Sequence, residues 1–233
     1  QGVIEDFQLL FYIIQPPTPE RVKYDIFDRV NRGGTPLNKQ EMRNALYRGR
    51  CTRMLDKLCC SPEFLIATGR SINKERMKDQ YVVLRAMAFL MLHRGEFKDI
   101  PALQYRGDID DFLARFMVYV NDNAPEKLIV DYENLFIRCM QISYDLLGEN
   151  GFRFSGNGIR RPINMPLFEA LSYLFSFVPE KIDYTWVSRL ILDIESVKEE
   201  FDDSRYFSGN IDSTTSVSFR FDRMDKIINR IQL

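Results

Sequence analysis

Residues 26–48 read IFDRVNRGGTPLNKQEMRNALYR and contain a helix end, a glycine pair and a helix start. The first helix opens at Thr18-Pro19-Glu20, with Thr18 as N-cap and Pro19 at the first helical position. Val22, Ile26 and Val30 give it an apolar stripe at i, i+4, i+8. Gly33-Gly34 ends it, because a left-handed cap costs glycine no steric clash. Asn38 followed three residues on by Glu41 is a capping box for the second helix, with Leu37 and Met42 placed as a hydrophobic staple. Between these anchors stand Arg29, Asn31, Gln40, Arg43 and Asn44. Their side chains are planar or cationic hydrogen-bonding groups, a chemistry that suits an anion or a nucleotide.

The charge distribution agrees with that chemistry. Glu20–Arg53 carries nine Lys/Arg against four acids, a local net of +5 in a chain whose formal net charge is −1. A basic field in an acidic remainder is compatible with a phosphate-bearing ligand; the other reading of the same charges is a solvated helix pair.

Phe27-x-Arg29-x-Asn31-x-Gly33-Gly34, followed by Leu37-x-x-Gln40-Glu41-x-Arg43-x-Ala45, resembles the N-terminal domain family of the GmrSD restriction endonucleases, in the ParB/sulfiredoxin-like superclass. Residues 76–89, 152–171 and 217–221 resemble an uncharacterised subset of that family more loosely. The resemblance implies nucleoside-triphosphate binding or hydrolysis in the parent protein and a role in bacterial defence against foreign DNA. It implies that Arg29, Asn31, Gly33, Gly34, Gln40, Arg43 and Asn44 contact phosphate or base, with the glycines letting backbone approach the ligand. The family's Asp-Gly-Gln-Gln-Arg segment, which carries its chemistry, is nowhere in this chain, and Gln1 is not an initiator Met. The chain therefore reads as the C-terminal part of such a protein, with no catalytic residue of its own. Residues 1–50 are expected to close a ParB-like nucleotide-handling domain, and residues 51–233 to form a helical domain.

Phe7–Ile14, FQLLFYII, reads as a strand closed by Pro16-Pro17. A lone strand leaves its ladder of N–H and C=O groups unmet, so it needs partners. The expected supplier is a ParB-like region preceding the chain; the alternatives are the stretch after Phe152 or a partner chain. Nearly everything after Gly34 reads helical. The expected architecture is mainly α, with about nine or ten helices and this one strand completing a sheet built elsewhere. Asp79 is expected to cap a central core helix, inside which a buried Arg85 would need a carboxylate or a ligand anion. Residues 151–164, GFRFSGNGIRRPIN, form a second candidate loop: Arg153, Arg160 and Arg161 would contact phosphate, or the loop is simply exposed. The acidic run Glu195–Asp203 reads as a solvated face, and Ser213–Ser216 as a polar turn before a last helix, Phe219–Ile231.

Composition excludes several classes. His93 is the only histidine, so an HNH nuclease, a His-rich zinc site and a Ser-His-Asp triad are ruled out. No Gly-x-x-x-x-Gly-Lys-Ser/Thr loop is present. Cys51, Cys59, Cys60 and Cys139 fit no zinc spacing and read as reduced thiols of a cytoplasmic protein. The most apolar stretch, Tyr81–Leu92, is too short for a bilayer. No metal or cofactor is expected in the chain itself. The two functions in competition are the helical part of a nucleotide- or DNA-binding defence protein and a non-enzymatic helical interaction module.

Overall fold

Two stretches are apolar on nearly every side, Val82–Met91 and Pro166–Phe175, and both are buried throughout. The computed structural model describes residues 13, 15, 18, 20–31, 36–156, 159–179, 184–202 and 209–231. Among these are ten α-helices: α1 Glu20–Asn31, α2 Lys39–Leu46, α3 Arg50–Cys59, α4 Pro62–Ala67, α5 Lys78–His93, α6 Ile109–Asp122, α7 Glu126–Leu147, α8 Met165–Phe175, α9 Tyr184–Asp202 and α10 Thr214–Ile231. The protein is mainly helical, and no strand occurs among the described residues. The expected strand Phe7–Ile14 lies outside them, save Ile13, which is exposed and in no regular element.

Helices α5 and α8 pack on each other at the centre. A helix apolar all round must be covered on all sides. Accordingly α3 and α6 cover α5, α7 and α10 cover α8, α4 lies on α7, and α9 on α10. Each fully buried Leu, Met or Phe adds about 1.5–3 kcal/mol over an exposed one. Each of the two buried stretches carries one charge inward, Arg85 on α5 and Glu169 on α8, and the two pair with each other. Arg220 of α10 reaches the other Glu169 oxygen at 3.1 Å, and Asp212 takes Arg85 Nη2 at 2.6 Å. The carboxylate expected for Arg85 is thus Glu169, with Asp212 beside it.

Helix starts follow the side chains that cap them. Asn38 Oδ1 accepts from the Gln40 and Glu41 amides at 2.8 and 2.9 Å, and Glu41 returns the bond to the Asn38 amide at 2.6 Å. Ser61, Asp108 and Asn164 cap α4, α6 and α8 in the same way. Asp79 does not cap α5: the helix begins at Lys78, and Asp79 lies buried in its first turn, where its carboxylate accepts from the Gln80 amide. Ser213–Ser216 is no separate turn, since Ser213 Oγ accepts from the Ser216 amide and α10 starts at Thr214.

Two further expectations are corrected. The stripe Val22, Ile26, Val30 was expected to anchor α1, yet these residues are 42, 37 and 69% exposed. The acidic run after Glu195 is not simply solvated. Lys198 and Phe201 inside it are buried, Glu200 pairs with Arg223 at 2.7 Å, and Asp202 pairs with Arg161.

Candidate functional site

Gln40, Arg43 and Asn44 stand at i, i+3, i+4 on α2, so they share the face turned towards α5. The structure brings these three together. Arg43 Nε donates to Gln40 Oε1 at 3.1 Å, and Gln40 Nε2 donates to Asn44 Oδ1 at 2.8 Å. Asn44 Nδ2 continues the chain to Gln80 Oε1 and to Met77 Sδ at 3.1 Å. Arg43 is fully buried, with its guanidinium 5.3 Å from the centroid of the Tyr81 ring. Its Nη1 donates to Asp110 Oδ1 at 2.8 Å, while its buried Nη2 makes no hydrogen bond among the described residues. A buried, unmet donor on a cation costs about 1–3 kcal/mol or more, so this nitrogen is a donor with unused bonding capacity.

Asp110 comes from the start of α6 and also pairs with Lys39. Burial alone would raise its pKa. The hydrogen bonds and charges of Lys39 and Arg43 outweigh burial and hold the carboxyl below its ordinary range. A cavity of about 510 Å3 opens here between the start of α2, residues 73–78 and Tyr81, and Arg43 lines it. Its rim is basic: Lys39, Arg76 and Lys78 face Glu75 alone among acids. Arg76 is itself pinned, donating to Pro36 O at 2.6 Å and to Glu41 Oε2 at 2.9 Å. That contact, then the Asn38 amide, keeps the Glu41 carboxylate below its ordinary pKa. Arg76 and its neighbour Met77 are both left-handed, at φ 55° and 57°, a conformation that costs side-chain-bearing residues energy.

The remaining sequence candidates divide. Arg29 is exposed on α1 and does not line the cavity. The Asn31 side chain, Gly33 and Gly34 lie outside the described residues. In the second loop Arg153 is buried as a brace, donating to the carbonyls of Glu149 and Thr68 at 3.2 Å and to Arg161 O and Ser71 Oγ. Arg160 pairs with Glu149 at 2.7 Å, and Arg161 pairs with Asp202 while lying over the Phe154 ring. These arginines border a second cavity, of about 650 Å3, which also takes in Glu195 and the buried Lys198. Gly156 is required there, since a Cβ would stand 2.2 Å from Ile159 O.

Sequence reasoning missed Asp110, Tyr81, Arg76 and Lys78. Asp110 is 67 residues from Arg43, so no local pattern marks it. Tyr81 had a signal: an aromatic with a polar tip at the mouth of an apolar helix. His93 is stacked on Phe221 at 3.6 Å, and burial, then the Arg220 charge, lowers its pKa to about 3. A histidine so depressed is neutral and cannot serve as a general acid near pH 7. The four cysteines are free, and burial pushes the Cys139 thiol up to about 12. No group of three metal-ligating side chains forms among the described residues, and no helix there is long and apolar enough to cross a membrane.

Compared with family models, with curated proteins and with solved structures, the chain finds no match.

Proposed function

We propose that this chain is the helical portion of a bacterial defence protein of restriction type, similar to the GmrSD N-terminal-domain family. In that reading the cavity beside Arg43 holds a phosphate of a nucleotide or a nucleic acid. The observation that carries it is Arg43: a buried guanidinium that borders a cavity rimmed by three more cations, and whose Nη2 has no hydrogen bond among the described residues. An anionic oxygen would satisfy that donor, and a charge-assisted bond of this kind is worth about 1.5–3 kcal/mol. Gln40 and Asn44 hold the guanidinium in place, and the face of Tyr81 completes the wall. Asp110 keeps Arg43 from being an uncompensated charge. Arg29 is not part of this inner constellation, and any contact it makes would come from the exposed rim.

The test is calorimetric titration of the chain with ATP, GTP and inorganic phosphate. Binding of a nucleotide is expected, and Arg43→Lys should weaken it at least about tenfold by removing the planar fork. Equal affinity in Arg43→Lys would refute the assignment. A second reading, a non-enzymatic helical interaction module, is favoured by the exposed stripe Val22, Ile26, Val30 on α1. It gains if no nucleotide or phosphate binds.

A further inference from the structure

From just after α4 to the first residue of α5 the chain runs GRSINKERMK, residues 69–78, with four cations and one acid. Several surface cations of this protein are engaged: Lys39, Arg50, Lys57, Arg115, Arg160, Arg161, Arg223 and Arg230 all pair with carboxylates. Arg70, Lys74 and Lys78 are exposed and make no hydrogen bond or ion pair through their side chains. Three unpaired like charges in one short segment repel one another, and a protein gains nothing in stability from keeping them together. Arg70 is moreover held left-handed, at φ 51°.

The segment lies between two hollows. On one side is the Arg43 cavity. On the other is a hollow of about 490 Å3 walled by Leu65 and Ile72 and rimmed by Arg70 and Lys74. Asn73 lines both, so they are neighbours with one shared wall. Beyond Arg70 the free cations end, because Gly69 abuts Arg160, which is paired with Glu149.

We infer that residues 69–78 form a track for a single-stranded nucleic acid. Unpaired cations at the rims would meet successive phosphates, while the hollow walled by Leu65 and Ile72 would receive a base, next to the cavity where Arg43 would meet a phosphate. Cavities of 300–1,000 Å3 are the usual size for small-molecule ligands, and both hollows fall in that range. A duplex fits this relief poorly, since its bases are stacked away from the wall. An anionic membrane fits it poorly too: the surface is hollowed, and no large apolar side chain of the segment is exposed. The inference goes beyond the phosphate site at Arg43. It shares a wall with that cavity but rests on the free cations.

The experiment measures fluorescence anisotropy of a short labelled oligothymidylate against salt, with the chain and with Arg70→Glu/Lys74→Glu. Neither substituted side chain lines the Arg43 cavity, so mononucleotide titration of the same variant reports that site separately. The oligothymidylate is expected to bind more tightly than the matching duplex. The variant should bind it at least about tenfold more weakly, with a slope of log affinity against log salt shallower by about 1.4, from ~0.7 per lost phosphate contact. Its melting temperature and its mononucleotide binding should stay as they were. Retained oligothymidylate affinity in the variant overturns the track. So does a duplex that binds as tightly, or phosphatidylserine vesicles whose binding falls equally in the variant. If mononucleotides fail to bind while the oligothymidylate binds and responds to the substitutions, the track stands and the Arg43 site falls.

Discussion

Arg85 and Arg43 are both buried guanidiniums, and they are completed differently. Arg85 sits at the centre with Glu169 and Asp212 on its nitrogens, and its neighbour Arg220 shares Glu169. Arg43 sits at the edge with one carboxylate, one amide and one nitrogen unmet. Taking a guanidinium out of water is costly, and the cost is recovered only through complete pairing. The central arginine is therefore scaffold, joining α5, α8 and the start of α10. The edge arginine keeps part of its bonding capacity unspent, and it does so beside a cavity.

The sharpest test of that contrast is Glu169→Ala, which leaves Arg85 and Arg220 facing each other with only Asp212 between them. Loss of about 3–5 kcal/mol is expected in urea unfolding. A loss below about 1 kcal/mol would show that the central network is not what holds the helices. Arg43→Lys should cost less, about 1–3 kcal/mol, since it strips hydrogen bonds from Asp110 and Gln40 but keeps a charge. If it cost as much as Glu169→Ala, the edge arginine would be scaffold too.

His93 sharpens the comparison by pH. It lies against Phe221, with the charge of Arg220 felt nearby, and burial then that charge depress its pKa to about 3. The unfolded chain binds a proton near the ordinary histidine value, about 6.5, and the folded chain does not. Stability should therefore be complete above about pH 6.5 and fall as pH drops below it, by up to about 1.4 kcal/mol per unit. His93→Phe should flatten that decline between pH 6.5 and 5 in denaturant titrations. An unchanged slope would place the acid sensitivity in the carboxylates instead. The smallest effect belongs to Asn38→Ala, which removes the α2 cap and should cost about 1 kcal/mol by thermal melt. Because Asn38 also donates to Arg76 O at 2.7 Å, it should loosen the cavity wall as well as the helix.

Legibility in the sequence followed the range of the interaction. Asn38 acts within three residues of itself, and its capping box was readable. The all-round apolar face of α5 was readable as core, and the arginine within it implied a carboxylate or a ligand anion. The burial of Arg43 was not readable. On the helix pattern it falls on the polar side, and Asp110 that draws it inward belongs to another helix. Arg153 misled for the same reason: a basic loop residue looks like a ligand contact until the carbonyls of Thr68 and Glu149 are found around it. Arg29 was grouped with Arg43 by proximity in sequence, yet its side chain is exposed and Arg43 is closed in.

The paired left-handed residues Arg76 and Met77 have a consequence for anyone engineering this protein. Glycine adopts that backbone freely, so glycine at either place relieves roughly 1 kcal/mol or more of strain. The relief is not free of loss: at Arg76 it would remove the clamp on Glu41 and Pro36 O, and at Met77 the sulfur that Asn44 approaches. A selection for heat resistance alone would act on that corner by the balance of these terms. A selection that also demands ligand capture should return arginine at 76, and sequencing survivors of the two regimes side by side would separate what the corner does for folding from what it does for binding.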